Sequence, residues 1–177
     1  VNSLNPNRRE GQKTAVFEIV EELGRAPDAL VLPYGGGGNT SAYKQGLDEL
    51  GLSVPMYSVE AEDRPHTLAS AIRIVVPHHA AAVAASGTKV VTVTDAEIVE
   101  AWQLLAMCEG LFCEPSSASG LAALRQGVVE GERVVVTITG HGLKTQEAVQ
   151  DRCGEPRLIK PGLHEFESLI AGEVEPH

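Results

Sequence analysis

The apolar positions near the start of the chain follow a helical period. Four of them recur at i, i+3, i+4 and i+7, with glutamates on the opposite face: Val16, Ile19, Val20 and Leu23. Gly24 follows the last of these positions and is a common stop signal. The pattern predicts an amphipathic helix over Glu10–Leu23.

Short apolar runs then alternate with further helical patterns. Four runs predict strands, of which the first and the last are expected to be buried: Asp28–Pro33, Val54–Glu60, Lys89–Thr94 and Arg133–Thr139. Helices are predicted between them at Thr40–Gly51, along a face formed by Ile98, Trp102 and Leu105, and at Pro115–Gln126. Strands that alternate with helices predict an α/β fold of three layers with a mostly parallel sheet.

One helix start carries a specific signal. Thr94 is followed three residues later by Glu97, the spacing of a capping box. The hydroxyl can accept from the amide of the third helical residue, while the carboxylate reaches back to the cap. We expect the helix that contains Trp102 to begin there.

Charge and composition narrow the function classes. Lys and Arg number 14 against 24 Asp and Glu, a formal net charge of -10. This argues against a nucleic-acid partner, because such proteins neutralise phosphates with excess cations. No apolar run reaches the roughly 20 residues of a spanning helix, and the first residues lack the pattern of a signal peptide. We expect a cytoplasmic protein without a membrane partner.

The cysteines indicate neither disulfides nor a zinc site. Cys108, Cys113 and Cys153 are odd in number and none is in C-x-x-C spacing. We expect free thiols.

A run of four glycines is the most informative segment. Gly35, Gly36, Gly37 and Gly38 precede Asn39, between a predicted strand and a predicted helix. Consecutive glycines let several N–H groups point into one concavity, and the helix adds the positive end of its dipole. A tight turn alone would need only one or two glycines. The run therefore predicts a phosphate-binding loop.

The identity of the phosphate stays open on these grounds. No Gly-Lys-Ser/Thr follows the loop, so the Walker pattern fails. A dinucleotide fingerprint fits in part, with Gly35 and Gly37 as its first glycines and Glu60 as the ribose-binding carboxylate, but Thr40 stands at the third glycine position. A nucleotide-binding module is one alternative.

A second candidate segment, T-I-T-G-H-G-L-K, runs from Thr137 to Lys144 at the end of the last predicted strand. Ligands of open α/β sheets collect outside the carboxyl ends of strands, so Thr139 and the glycine loop could touch one ligand. For Thr139, ligand contact and sheet packing are both open. Thr137 is expected to pack in the sheet, and His141 to be an exposed loop residue.

Five segments, in this order, carry a resemblance: Asn5–Thr14, Gly35–Asn39, Thr67–Ile74, Phe112–Ala118 and Thr139–Lys144. With them the chain resembles the threonine synthases, which belong to the β-family (fold type II) of pyridoxal-phosphate enzymes, and is similar to the C-terminal portion of their catalytic chain. E-G-Q-K-T and T-G-H-G-L-K are fairly specific to that family. The glycine loop is shared by the whole superfamily.

The resemblance implies a tryptophan synthase β-like fold and a lyase in threonine biosynthesis. The family converts O-phosphohomoserine and water to threonine and phosphate, with pyridoxal 5'-phosphate as cofactor. It implies that the backbone of Gly35, Gly36, Gly37, Gly38 and Asn39 holds the cofactor phosphate, and that Thr139 hydrogen-bonds the pyridine nitrogen. A homodimer is expected for the full-length protein.

The acidic residues of the last stretch predict a division of the chain, and the resemblance implies a missing anchor. Residues 1–155 would be the C-terminal part of the catalytic domain, and residues 156–177 an acidic tail with one short helix around Leu163–Ala171. The family's Schiff-base lysine, in a Ser-x-Lys context, would lie upstream, because none of the five lysines has that context: Lys13, Lys44, Lys89, Lys144 and Lys160. No catalytic residue is therefore assigned, and the isolated chain is expected to be inactive.

One segment departs from the family pattern. Where the family has Gly-x-Pro-x-x-Trp, this chain has Val75–Ala80. Its adjacent His78 and His79 lack a third ligand at a helpful spacing, so we expect surface histidines and no metal. Two further alternatives remain: another fold type II enzyme, of the threonine dehydratase or cysteine synthase type, and a non-catalytic phosphate-binding module.

Overall fold

The strands and helices alternate as the sequence predicts. A computed structural model describes residues 5–148 and 158–171. Its strands are β1 (Ala29–Pro33), β2 (Met56–Ala61), β3 (Lys89–Val93) and β4 (Val134–Val136). Its helices are α1 (Pro6–Leu23), α2 (Gly38–Glu49), α3 (Ala80–Ala85), α4 (Asp95–Glu109), α5 (Pro115–Arg125) and α6 (Leu163–Ile170), with short 3-10 turns at Ser70–Ile72 and Gly142–Thr145.

The sheet is parallel throughout and has the order β3-β2-β1-β4. Val31 of β1 pairs with Tyr57 on one side and with Val136 on the other. All five residues of β1 are buried, as its unbroken apolar sequence predicts for a strand covered on both faces. The expected α/β fold with a parallel sheet is confirmed.

Alternate residues of β1 face two separate apolar layers. Val31 packs in a cluster with Trp102 of α4 and Ala118 of α5. Leu30 and Leu32 point the other way, into a cluster with residues of α1 and α2. The sheet is therefore the middle of the three layers that the sequence predicts.

β4 differs from the prediction. Arg133–Thr139 was expected to be a buried strand, but the strand spans only Val134–Val136 and its residues are half-buried. The reason is its place in the sheet: within the described residues β4 pairs with β1 alone, so one of its edges is uncovered. The expectation of a buried strand was wrong.

Two helices begin earlier than the apolar periodicity indicates. α1 starts at Pro6, where Asn5 Oδ1 accepts from the N–H of Asn7 at 3.0 Å. α2 starts at Gly38, directly after Gly37 in the left-handed conformation. Apolar spacing detects the buried face of a helix, whereas its first turn is set by capping.

The start of α4 is confirmed. Thr94 Oγ1 accepts from the N–H of Glu97 at 3.3 Å, and Glu97 Oε2 accepts from the N–H of Thr94 at 2.7 Å. Both bonds of the capping box are present. The backbone hydrogen bond from Thr94 holds the pKa of Glu97 below its usual value.

The strand order reverses at β1. From β1 the chain adds β2 and then β3 on one side, and β4 returns to the other side. The carboxyl ends of β1 and β4 are therefore neighbours at a switch point, where open parallel sheets form a ligand crevice. The glycine run follows β1, and Thr139 follows β4.

The predicted division at residue 155 lies outside the described residues, as does Cys153, so the division stays a prediction. Helix α6 falls within the stretch assigned to the tail and buries none of its side chains. Among residues 5–148 and 158–171, no helix has the length and apolar character needed to cross a membrane.

Candidate functional site

A cleft of about 600 Å³ opens at the switch point between β1 and β4. One wall is the glycine run, contributing Gly35, Gly36, Gly38 and Asn39. The other wall contains Thr137 and Thr139. The two segments that the sequence singles out thus line one cavity, as their common position at the carboxyl ends of strands predicts.

Two of the glycines have no room for a side chain. A Cβ at Gly35 would lie 2.7 Å from the carbonyl oxygen of Ala71. At Gly37 it would lie 2.7 Å from Val83 Cγ2, and the backbone there has φ +85°, which favours glycine. Close backbone approach at Gly35 and positive φ at Gly37 both require glycine, whether or not a ligand binds the loop.

Two carbonyls of the loop are held by residues that do not line the cleft. Gly36 O accepts from the N–H of His79 at 2.9 Å. Gly37 O accepts from the N–H of Ser41 at 3.1 Å and from its Oγ at 2.9 Å. In a planar trans peptide the C=O and the following N–H point in opposite directions. Because His79 and Ser41 hold the carbonyls of Gly36 and Gly37, the N–H groups of Gly37 and Gly38 point away from His79 and Ser41.

The loop's N–H groups are left unpaired within the described part of the chain. Those of Gly35, Gly36 and Gly38 donate to no described residue. Gly38 also begins α2, and first-turn N–H groups have no partner inside the helix. Unpaired N–H groups at the positive end of a helix dipole bind an anion.

Thr139 is oriented by a serine that sequence reasoning missed. Ser117 of α5 is fully buried, and its Oγ lies 2.9 Å from Thr139 Oγ1. The same Ser117 Oγ accepts from the N–H groups of Thr139 at 3.1 Å and Gly140 at 2.8 Å. Thr139 itself is exposed at the cleft. Its hydroxyl is thus held in place and remains accessible to a ligand.

Residues at the start of α5 hydrogen-bond to both walls of the cleft. Ser116 Oγ accepts from the N–H of Ala71 at 3.0 Å, beside Gly35. On the other side, the N–H of Glu114 donates to Gly140 O at 2.9 Å, and the Glu114 carboxylate packs directly against the Gly140 α-carbon. Glu114 and Ser116 both line the cleft. The sequence signal for them is the E-P-S-S segment, whose Pro115 marks a helix start.

Polar residues of α1 also reach the cleft. Arg8 and Gln12 line it together with Lys144, which the sequence indicates only as a loop cation. Gln12 Oε1 is buried without a hydrogen-bond partner, and it lies 3.7 Å from the point where a Gly38 Cβ would be. The amide oxygen is an acceptor, so only a donor such as water or a ligand hydroxyl would satisfy it.

Thr137 packs in the sheet, as expected. Its N–H donates to Val31 O at 3.0 Å, and its Oγ1 donates to Tyr43 Oη at 3.4 Å. Burial raises the pKa of Tyr43, so its phenol stays neutral.

His78, His79 and His141 do not form a reactive cluster. His141 is exposed, and its Nδ1 accepts from the N–H of Leu143 at 3.2 Å, so it stabilises its own turn. His78 is exposed, and the N–H of His79 supports the glycine run. Among residues 5–148 and 158–171, no cluster of three potential metal ligands occurs.

Glu60 is not a free ribose-binding carboxylate. Arg64 Nε donates to Glu60 Oε2 at 3.0 Å, and Arg64 Nη2 contacts the same oxygen. Thr40, at the third position of the dinucleotide fingerprint, is buried with its Oγ1 2.8 Å from Ser58 Oγ. Both features count against the nucleotide-binding alternative.

Three known proteins that are similar to this chain are all named threonine synthase. The chain is 44% identical to the threonine synthase of Halalkalibacterium halodurans, over 81% of this chain and 48% of that protein. It is 41% identical to the threonine synthase of Synechocystis, over 97% of this chain and 50% of that protein. The corresponding protein of Methanocaldococcus jannaschii is 37% identical, over 96% and 51%. The chain spans about half the length of these curated relatives.

Solved structures share the fold. Maize serine racemase superposes with a TM-score of 0.70 at 20% identity, over 81% of this chain and 51% of that one. A threonine deaminase from T.th. superposes with a TM-score of 0.68 at 22% identity, over 77% and 52%. These likenesses confirm the expected tryptophan synthase β-like fold. This chain forms about half of that fold in each of the two structures.

A family match supports the same assignment. Residues 1–140 match the family described as pyridoxal-phosphate dependent enzyme, which confirms the cofactor class that the motifs imply. The chain therefore belongs to the family of pyridoxal-phosphate dependent enzymes.

Proposed function

We propose that this chain is part of a threonine synthase, a lyase that converts O-phosphohomoserine and water to threonine and phosphate. The observation that carries the proposal is the identity of 37–44% to proteins named threonine synthase, over most of this chain. Because the chain spans about half of those proteins, the activity is proposed for a protein that also contains the other half.

The residues of the cleft fit pyridoxal 5'-phosphate. Its phosphate suits the unpaired N–H groups of Gly35, Gly36 and Gly38 at the start of α2, where a side chain on Gly35 would collide with backbone. Its pyridine nitrogen suits a hydroxyl such as that of Thr139 on the opposite wall. We assign cofactor binding to Gly35, Gly36, Gly37, Gly38, Asn39 and Thr139.

The cofactor supplies the electron sink, and this chain supplies binding and orientation. The glycine run would hold the phosphate end without a cationic side chain. Thr139 would hold the ring nitrogen with a neutral hydroxyl, which does not enforce protonation as a carboxylate would.

The cations of the cleft suit a second anionic group. Arg8 and Lys144 both line the cleft of a chain with net charge -10. Neither is needed for a phosphate held by backbone N–H groups, so they are available to a phosphorylated, carboxylate-bearing substrate. This accords with O-phosphohomoserine as the substrate.

The anchoring lysine is proposed to come from outside these residues. None of the five lysines lies in a Ser-x-Lys context. Lys13 is engaged with Glu10 and Glu49, and its hydrogen bond to Glu10 raises its pKa further. Borohydride treatment of the 177-residue chain with pyridoxal phosphate should therefore trap no stoichiometric lysine adduct. A stoichiometric adduct would overturn the missing-anchor proposal.

The activity is tested by turnover of the protein encoded by the whole reading frame around this sequence. We expect phosphate release and threonine formation from O-phosphohomoserine, at least tenfold faster than turnover of threonine or O-acetylserine. Faster turnover of threonine would favour a dehydratase, and of O-acetylserine a cysteine synthase. A cytoplasmic location and a homodimer remain predictions.

A further inference from the structure

Arg64 makes an unusual set of contacts for a residue outside the cleft. It follows β2, and its side chain is 14% exposed. Its guanidinium lies 4.6 Å from the centre of the Tyr34 ring, in cation–π geometry. Glu60 neutralises it through the Nε bond of 3.0 Å and the Nη2 contact. Its remaining nitrogen, Nη1, donates to two backbone carbonyls.

One of the two carbonyls belongs to the glycine run, and the other belongs to the segment that packs against it. Nη1 donates to Ile74 O at 2.8 Å and to Gly35 O at 3.4 Å. The segment ending at Ile74 is the one that packs on Gly35, with Ala71 O only 2.7 Å from the position of an added Cβ. Arg64 therefore bridges Gly35, the first glycine of the loop, and the backbone segment that packs against it.

The bond to Gly35 O has a directional consequence. Gly35 C=O and Gly36 N–H belong to one planar trans peptide, so a carbonyl held towards Arg64 turns the N–H of Gly36 the opposite way. Gly36 N–H has no acceptor among the described residues, and Gly36 lines the cleft. Arg64 therefore orients the Gly36 N–H by holding the preceding carbonyl. The N–H of His79 and the Ser41 donors hold the carbonyls of the next two peptides in the same way.

We propose that Arg64 is a positioning residue for the phosphate cradle, which it orders through Gly35 O and Ile74 O without touching the ligand. This rests on the proposed function insofar as the ligand is a cofactor phosphate. Lysine could satisfy one carbonyl but lacks the planar fork that binds Glu60 and the carbonyls together. A graded loss from Arg to Lys to Met is therefore expected.

The test compares wild type, Arg64→Lys and Arg64→Met in the cofactor-free form of the protein encoded by the whole reading frame around this sequence. Arg125→Met is the matched control, because Arg125 forms an exposed ion pair with Glu100 at 2.8 Å on other helices. The probes are pyridoxine 5'-phosphate and pyridoxine, which differ only in the phosphate and carry no aldehyde to react with lysines. We expect Arg64→Met to raise the Kd of the phosphate ester at least tenfold and that of pyridoxine less than twofold. Arg64→Lys should give an intermediate value, and the control no change.

A Kd for the phosphate ester within twofold of wild type, or an equal rise for both probes, would overturn the proposal. A ligand-free readout separates it from the proposed function. If wild type binds neither the phosphate ester nor inorganic phosphate, the cofactor assignment fails, and the hydrogen-exchange rate of the His79 amide, which donates to Gly36 O at 2.9 Å, tests the role of Arg64. Exchange at least tenfold faster in Arg64→Met, relative to the Val31 amide of the central strand, supports the positioning role. Unchanged exchange refutes it.

Discussion

Ser117 Oγ lies 2.9 Å from Thr139 Oγ1 and also accepts two backbone N–H groups, those of Thr139 and Gly140. Two amides occupy both lone pairs of the Ser117 oxygen, so its single proton can go to Thr139 Oγ1 at 2.9 Å or to Gly140 O at 3.5 Å. The shorter distance favours Thr139. The hydroxyl proton of Thr139 is then free to point into the cleft. This orientation suits the pyridine nitrogen of the proposed cofactor, which accepts a hydrogen bond.

Ser117→Ala should weaken both the fold and the cofactor site. The substitution leaves the buried N–H of Gly140 and the partly buried N–H of Thr139 without an acceptor, so we expect a loss of about 1–3 kcal/mol in the free energy of unfolding. Binding of pyridoxine 5'-phosphate should weaken as well. Denaturant unfolding and a binding titration measure the two effects.

Ser119→Ala is the matched control. Ser119 is also fully buried in α5, and its Oγ donates to Ser116 O at 2.8 Å, so a similar hydroxyl is removed away from Thr139. It should reduce stability without changing affinity. Equal losses of affinity in both variants would contradict the orienting role of Ser117.

Gly35→Ala should disrupt the glycine run by steric contact. Its methyl group would approach Ala71 O to 2.7 Å and Ile72 Cα to 3.1 Å, and both are backbone atoms that cannot rotate away. We expect a lower unfolding temperature and loss of phosphate-ester binding. Gly11→Ala is a control for stability alone, because Gly11 itself lines the cleft. A Cβ there meets nothing within 4 Å, and α1 should gain about 0.5–1 kcal/mol from the better helix former. A Gly35→Ala chain that binds normally would show that the loop is not confined as described.

The capping box of α4 should make stability depend on pH. The N–H of Thr94 lowers the pKa of Glu97, so the contribution of this carboxylate is present above its unfolded pKa and is lost as pH falls through the folded value. Glu97→Gln removes the carboxylate charge and keeps the backbone N–H of Thr94, so it should cost about 0.3–1 kcal/mol at pH 7. The difference from wild type should shrink at pH 3. Urea unfolding at the two pH values measures it, and a constant difference would contradict the role of the ionised carboxylate.

The sequence predicts most of the framework because local signals carry it. The buried run of β1 and the Thr94 capping box each depend on a few neighbouring residues, and both are confirmed. The expected burial of β4 was wrong because this strand lies at the edge of the sheet that the described residues form, a position that its own sequence does not encode. The helix starts at Pro6 and Gly38 were missed because caps, unlike apolar faces, have no period.

The cleft is predictable only in part. That the glycine run and Thr139 share one rim follows from the rule that parallel strands present their carboxyl ends together. Ser117 and Gln12 could not be predicted, because their roles arise from contacts between elements far apart in sequence. Ser117 meets a residue 22 positions away, and Gln12 of α1 reaches the start of α2.

The two described cysteines should differ sharply in reactivity. Cys108 is exposed, whereas Cys113 is buried, and burial raises the pKa of the Cys113 thiol. Because the thiolate is the reactive form, iodoacetamide at pH 8 should modify Cys108 in the native chain and spare Cys113. Peptide mass spectrometry reads out each site, with the denatured chain as the control for accessibility. Equal modification of both thiols in the native chain would contradict the packing of Cys113.

The central claim is that the cleft between β1 and β4 binds pyridoxal phosphate by its phosphate group. The most direct measurement is an amide chemical-shift titration of the cofactor-free protein encoded by the whole reading frame, with pyridoxine 5'-phosphate, inorganic phosphate and NAD in parallel. We predict that the phosphate ester shifts the amides of Gly35–Asn39 and Thr139, that inorganic phosphate shifts only the former, and that NAD shifts neither. Shifts confined to other parts of the chain, or a response to NAD alone, would contradict the account.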